Sequence, residues 1–491
     1  MTPDFNLGAG ALVVIALYLL ALVAIGVAGR RSRKENSLDD FYLGGRGLGF
    51  LVLLLTLYAT QYSGNTLIGF AGRAYREGFQ FLMSVTFMMA VIAVLVGYAP
   101  RLRTLAERHR FLTVGDYVQH RYGSTALTVL VSGLSIFALG NYILTNLKAM
   151  GSIVEIVSGG AIPFAHGIIG LSLIMVVYET LGGMRSVAWT DVLQGVILLA
   201  GCAAILFAVE YLYETHGGTA TAIYASRPDL WDAPTGAQKV SWLSTILLLG
   251  IGIAMYPHAI QRIFAAGSSR ALKRSLQWMA VLPLVTTLFM VYVGIVGNAH
   301  FPDLSRLDSD NITLLLLGEL TRAFAGMEWL VILFICAATA AIMSTIDSAL
   351  LAISSLFTQD MFRRLRPNSN QSDLTRVGKI VSWLIMGAMA WFAVESRETI
   401  WRLLEIKLEI LCQIAPAVIL GINRASLGKR AVLGGLLAGL LCTCILMLGG
   451  EGEWSKPFGI HAGVWGLAVN LLVLALIQVA SGRRTPQLQG G

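Results

Sequence analysis

Long apolar runs dominate the chain, and short polar stretches separate them at nearly regular intervals. Thirteen runs read as spans: 7–29, 47–72, 78–100, 125–156, 161–180, 186–211, 240–262, 275–299, 329–358, 377–396, 401–423, 431–450 and 459–481. Each is long enough to cross a hydrocarbon core of about 30 Å at about 1.5 Å per residue. None alternates with the period of a lipid-facing strand, so the pattern predicts an all-α membrane protein. The first run is long enough to span and ends in Arg30-Arg31-Ser32-Arg33-Lys34, which reads as a retained helix rather than a leader.

Two spans break their own pattern. In the second, an apolar half gives way to Thr60-Gln61-Tyr62-Ser63-Gly64-Asn65-Thr66. Polar groups in mid-span are costly unless buried in protein or facing a cavity. Gly64 permits unwinding. Carbonyls freed near Ala59 and Tyr62 would suit a cation, and Gln61, Ser63, Asn65 and Thr66 would reach a polar solute. The seventh span carries the matching interruption, Gly250-Ile251-Gly252-Ile253-Ala254-Met255-Tyr256-Pro257-His258, where Pro257 removes a helical hydrogen bond. Five spans separate the two, so the second enters from the opposite side. Paired interruptions point to a transporter's midplane site. The plainer alternative is a pair of kinks in packed helices.

Polar residues inside other spans add to this. Ala341, Ser344, Thr345 and Ser348 share one face of the ninth span, with Asp347 beside it. Hydroxyl and carbonyl oxygens suit a hard cation such as Na+. A carboxylate at that depth needs a partner or an ion. Asp191 opens the sixth span, where an N-cap role competes with a site role. Lys148, near Asn141 and Asn146, either meets an anion or snorkels outward. In Trp401–Glu409, Glu405 and Glu409 share a face without Lys407, which suggests a partly solvated helix end. Gln413 and Pro416 lie deeper and read as cavity lining. His258 reads as a satisfied polar residue or a site residue.

Charge and composition narrow the class. With 56% hydrophobic and 13% charged residues among 491, a water-soluble enzyme and a disordered chain are excluded. With the N-terminus outside, more than two thirds of the 36 Lys and Arg fall in inner loops, Arg262 among them, which fixes a cytoplasmic C-terminus. The net charge of +8 therefore reports basic loops and not a nucleic-acid partner. The long outer stretches 212–239 and 300–328 are acidic connectors, and Ile312–Leu320 is expected to lie as a short helix on the membrane surface. Five cysteines sit in apolar runs without a pairing framework or zinc spacing. No His-x-x-x-His, G-x-S-x-G or phosphate-loop motif is present, so no enzyme is expected.

Three motifs together resemble the sodium:solute symporter family. They are Phe41-Tyr42-Leu43-Gly44-Gly45-Arg46-Gly47-Leu48-Gly49, Leu181-Gly182-Gly183-Met184-Arg185-Ser186 followed by Trp189-Thr190-Asp191, and Ala341–Thr345 followed by Phe357-Thr358-Gln359-Asp360. The resemblance implies a leucine-transporter-type fold of two inverted five-helix repeats, 47–211 and 240–423, with 7–29, 431–450 and 459–481 peripheral. It implies a sodium site from the carbonyls of Ala59, Tyr62 and Ala341 and the hydroxyls of Ser344 and Thr345. A further sodium site of some relatives maps to Asp191, Ser344, Asp347 and Ser348. The solute site is expected from Gln61, Ser63, Asn65, Thr66, Asn146, Lys148, Tyr256 and Gln413. Asp347 replaces a serine of those relatives, Glu179 replaces a small residue, and Gln61 replaces the aspartate of proline carriers. Tyr256-Pro257-His258 and Gln413–Pro416 are closer to monocarboxylate or pantothenate carriers.

The expected function is sodium-driven import of a small polar solute, a carboxylate by preference, across a bacterial inner membrane without an obligatory protein partner. The rival is a transporter-like receptor that binds its solute and never accumulates it.

Overall fold

The computed structural model describes residues 9–32, 35, 37–63, 65–215, 227–306, 308–324, 326–396, 400–449 and 456–481. Gly64, the stretch 216–226, the tail from 482 and the side chain of Asn65 lie outside the described residues.

The long apolar runs become helices. They are α1 (Ala9–Arg31), α2 (Phe50–Gln61), α3 (Phe70–Glu77), α4 (Met83–His109), α5 (Thr125–Val157), α6 (Phe164–Gly182) and α7 (Met184–Thr215). The second half supplies α8 (Gly236–Ala254), α9 (Pro257–Ala265), α10 (Leu282–His300), α11 (Glu328–Leu356), α12 (Gln371–Glu395), α13 (Ile400–Leu411), α14 (Lys429–Leu448) and α15 (Ala462–Ala480). Eleven helices among the described residues are long and apolar enough to cross a membrane uninterrupted. The expected spans at 47–72 and 401–423 are the other two, and both are built from shorter pieces. Among the described residues the extended pairing is a single bridge, Leu48 to Ala266.

Two groups of helices pack against each other. The first holds α2 with α3, α4, α8 with α9, and α10. The second holds α5, α6, α11 and α12. Helix α7 runs between them along α11 and α2, while α13 lies against α5 and α8. Helices α14 and α15 form a hairpin at the edge. The bridge at Leu48 (amide to Ala265 O, 3.1 Å) ties the start of α2 to the end of α9, which unites the first group.

Charges at the basic face lock the connections. Arg185 reaches Asp40 at 2.6 Å, and Arg46 reaches Asp39 at 2.6 Å. Arg185 is thus committed to the short helix Leu38–Leu43. The segment Ile312–Ala323 is helical, yet Ile312 to Gly318 are buried beside α3 and α10 rather than resting on a membrane surface. Its leucines cover protein because α3 is short and leaves room above it.

Gly183 makes the turn from α6 into α7 at φ 62°, ψ −150°, a conformation open essentially to glycine alone. A Cβ there would sit 2.5 Å from the Phe41 carbonyl oxygen. Gly123 also has positive φ, at 56°, but nothing lies within 4 Å of a Cβ. Gly183→Ala is therefore expected to destabilise by roughly 3 kcal/mol or more, and Gly123→Ala by about 1 kcal/mol. Thermal unfolding in detergent compares them; equal losses would remove the close approach at Phe41 as the cause.

Candidate functional site

Both interruptions are real breaks at one depth. Helix α2 ends at Gln61, Tyr62 is extended (φ −99°, ψ 105°), and the chain resumes through a π-helical turn, Asn65–Gly69, into α3. Helix α8 ends at Ala254, and Pro257 starts α9 after a non-helical Tyr256 (φ −57°, ψ 122°). The last turn of a helix leaves carbonyls without helical partners. Tyrosines satisfy one at each break: Tyr142 of α5 donates to Thr60 O (3.3 Å), and Tyr98 of α4 donates to Ala254 O (2.5 Å). The same Tyr142 hydroxyl lies within reach of Ser63 and Thr345. Tyr142 therefore touches the α2 break and the polar face of α11 together.

The expected sodium residues lie at the end of α2 and on α11, two helices that pack on each other. Ala59, Tyr62, Ala341, Ser344 and Thr345 are fully buried. The Thr345 hydroxyl donates to Ala341 O (2.8 Å), and the Ser344 hydroxyl donates to Asp191 Oδ1 (2.5 Å). A hydroxyl has one proton and two lone pairs. Both donate away, so both keep lone pairs for a cation, and the residues fit Na+.

The second expected ion position is organised around a residue that the sequence reading placed in a loop. Arg262 on α9 is fully buried, 2.8 Å from Asp191 Oδ2. Its other contacts are Thr56 Oγ1 (2.8 Å), Ser348 Oγ (2.5 Å) and His258 O (3.2 Å). The Thr56 hydroxyl also donates to Asp191. Asp191, Ser344 and Ser348 thus come together with an arginine among them. Asp347 does not join: it turns from that face toward α6, where the Tyr178 hydroxyl donates to it. Asp191 lies inside α7 and is no N-cap.

The expected solute residues divide. Gln61, Tyr256 and His258 line a cavity of about 20 Å3 with Leu57, Val91, Leu95 and Ile253. That is room for about one water and not for an organic solute in this conformation. Ser63 and Thr66 are buried at the break. Asn146 returns its amide to Tyr142 O of its own helix (2.8 Å). Lys148 donates to Ser396 O (2.9 Å), away from the break. Gln413 points at α14 and α15, bonding Gly463 O (2.8 Å) and Thr443 (3.2 Å). Its depth was read correctly and its face was not.

Lys407 was missed as a site residue. It is fully buried, with Nζ 3.7 Å from the Tyr142 ring centroid and 6.0 Å from that of Tyr256. The Tyr142, Tyr256 and His258 rings stack at 5.0 and 4.9 Å. Desolvated cation–π contact contributes about 2 kcal/mol, while taking an ammonium from water costs several. A single lysine inside a span was the available signal. The two glutamates flanking it hid that signal, because they too are buried: Glu405 meets Lys456 at 2.8 Å and Glu409 lies 3.5 Å from His461. On the same helix as these glutamates, the Trp401 ring is covered by Arg73 at 3.9 Å.

Two broken helices, a cavity where the breaks meet and a buried oxygen cluster are the parts of a secondary transporter, not of an enzyme. A family model described as the sodium:solute symporter family matches residues 41–441, and the chain belongs to that family. It is 26% identical to the sodium/pantothenate symporter of Escherichia coli (strain K12), over 77% of this chain and 78% of the relative. It is also 26% identical to a Staphylococcus aureus sodium/proline symporter (strain bovine RF122 / ET3-1), over 95% and 91%. The fold is that of a Na+-coupled sialic acid symporter structure, with TM-score 0.78 at 19% identity over 97% of this chain and 98% of that one. Mhp1, a nucleobase-cation-symport transporter, follows at TM-score 0.51 and 15% identity, over 92% and 95%. The leucine-transporter-type fold expected from the motifs is thus present. Sodium and a small solute are the transported species of this family.

Removing one member of a buried ion pair strands the other and costs about 3–5 kcal/mol, whereas removing both is far milder. Arg262→Met should lose stability on that scale, and Asp191→Asn/Arg262→Met should recover most of it. Denaturant titration of the purified protein checks this; a double variant as unstable as the single would show that the pair is not the source.

Proposed function

We propose that this chain imports a small polar organic solute, a carboxylate, together with sodium across a bacterial inner membrane, N-terminus outside and C-terminus cytoplasmic. Residues 47–211 and 240–423 act as inverted repeats around the paired breaks. Helices α1, α14 and α15 are peripheral to those repeats. The observation that carries the reading is the meeting of the α2 break with the α11 hydroxyls at Tyr142.

Sodium binds the carbonyls of Ala59, Tyr62 and Ala341 and the hydroxyls of Ser344 and Thr345. The first two oxygens ride on one helix group and the last three on the other. An ion held by both groups stabilises the arrangement in which they meet and not the one in which they part. That difference in affinity is what couples the ion to the movement. The solute occupies the cavity beside Gln61 and Tyr256. At Asp191 the Arg262 guanidinium supplies the positive charge that a second sodium would bring, so the reading is one sodium per solute.

Ser344→Ala and Thr345→Ala each remove one oxygen. The sodium concentration for half-maximal uptake should rise several-fold in each, with protein abundance little changed; unaltered sodium dependence in both would sink the site. In proteoliposomes, the potential at which solute flux reverses should give one Na+ per solute. A ratio of two would show that Arg262 leaves Asp191 when sodium binds. Binding without accumulation would instead favour the receptor.

A further inference from the structure

We propose that Lys407 is the anchor for the solute's single negative charge, and that the solute is a small monocarboxylate with an apolar or planar body. The assignment rests on the transport reading and adds to it a residue and a substrate class.

Four observations meet. The Lys407 amine is fully buried and makes no hydrogen bond among the described residues; its neighbours are the faces of Tyr142 and Tyr256. Ring faces attract a cation, but they supply no acceptor for its three N–H groups. Helix α9 begins at Pro257 beside the same rings, and a helix N-terminus adds partial positive charge. Among the described residues no acidic side chain lines the cavity at the break. The cluster therefore offers donors and positive potential with nothing of opposite sign, which is the complement of an anion.

The charge count selects the anion. Arg262, the other nearby cation, is already matched by Asp191 at 2.8 Å. Lys407 alone remains for the solute, so one negative charge is balanced and a second is not. The cavity on the other side of the break, which shares Tyr256 with the Lys407 cluster, sets the body of the solute. Leu57, Val91, Leu95 and Ile253 are apolar, the Tyr256 and His258 rings offer a flat face, and Thr60 and Gln61 are the polar members. An alkyl or planar group fits that lining, whereas a polyhydroxylated body would exceed the partners that Thr60 and Gln61 supply.

Position on α13 agrees with the role. Lys407 lies on the face opposite Glu405 and Glu409, whose carboxylates face Lys456 and His461. The helix separates the lysine from both carboxylates instead of pairing it with either.

The experiment uses purified full-length protein and thermal stabilisation, with propionate, pyruvate and benzoate compared with propionamide, pyruvamide and benzamide, and with succinate as a dianion. Each is added with and without sodium, because a ligand raises stability by mass action. At least one monocarboxylate should stabilise in sodium about tenfold more tightly than its amide. Succinate should fail. Lys407→Met should abolish the response to acids while sodium alone still stabilises the variant, which also certifies that it folds. Amides binding as well as acids, acids binding Lys407→Met as well as wild type, or sodium stabilisation with no response to any acid would each overturn the assignment and leave sodium coupling standing. Loss of the sodium response in wild type would overturn both readings.

Discussion

A buried ion pair, Arg262 with Asp191, is the interaction on which the centre of the molecule depends. Both side chains are wholly shielded, so neither has water to fall back on. Their remaining valences must be met by protein, and the surrounding residues follow from that need. Thr56 comes from α2, Ser344 and Ser348 from α11, and the His258 carbonyl from α9 itself. With Asp191 on α7, the cluster joins four helices drawn from both halves of the chain. Ser344 belongs to this cluster and to the proposed sodium site at once. A change in ion occupancy at Ser344 is therefore felt by the pair that fastens α9 to α7.

The breaks obey the same constraint in neutral form. Inside a membrane an unwound carbonyl has no solvent, and a fully helical span would be the cheaper structure. These breaks persist because tyrosines from neighbouring helices accept the cost. Tyr142 reaches across from the second helix group to Thr60, whereas Tyr98 stays within the first group and caps Ala254. The α2 break is thus bonded across the groups and the α8 break within one. Relative movement of the groups changes the environment of the first and leaves the second intact. The proposed sodium site at the first break is consequently sensitive to conformation, whereas the cavity wall that both breaks form lies within one group.

Much of this was legible in the sequence, and the misses share a cause. Run length gave the spans, and Gly and Pro inside polar stretches gave the breaks, because both signals are local. The face of α11 was also readable, since Ala341, Ser344, Thr345 and Ser348 repeat with the helical period. Which neighbour a face meets is not local. Asp347 lies one residue from that face and turns to Tyr178, while Gln413 turns to the peripheral hairpin. Run length alone ends the span 240–262 at Arg262 and so places the arginine in a loop. The break at Met255–Tyr256 starts a new helix there and carries the arginine back into protein. Nothing in the structure explains the buried Glu179.

The helices outside the proposed repeats bear directly on the site. Helix α13 carries Lys407 on one face and Glu405 and Glu409 on the other, and Gln413 follows just past its end. Lys456 and His461, just before α15, hold the two glutamates, and Gly463 with Thr443 holds the glutamine. Asn470 of α15 closes the arrangement by donating to Gln413 O at 2.9 Å. The segment 412–420, at the end of α13, is irregular, with a short tight turn and a π-helical turn around Pro416, so internal hydrogen bonding alone does not fix its rotation. The clamp from α14 and α15 supplies that fixation. A rotation of about 100° per residue step separates faces on a helix, so a register error of one residue would swing Lys407 off Tyr142. The terminal hairpin therefore sets where the positive charge of the site stands, although none of its described residues lines the cavity.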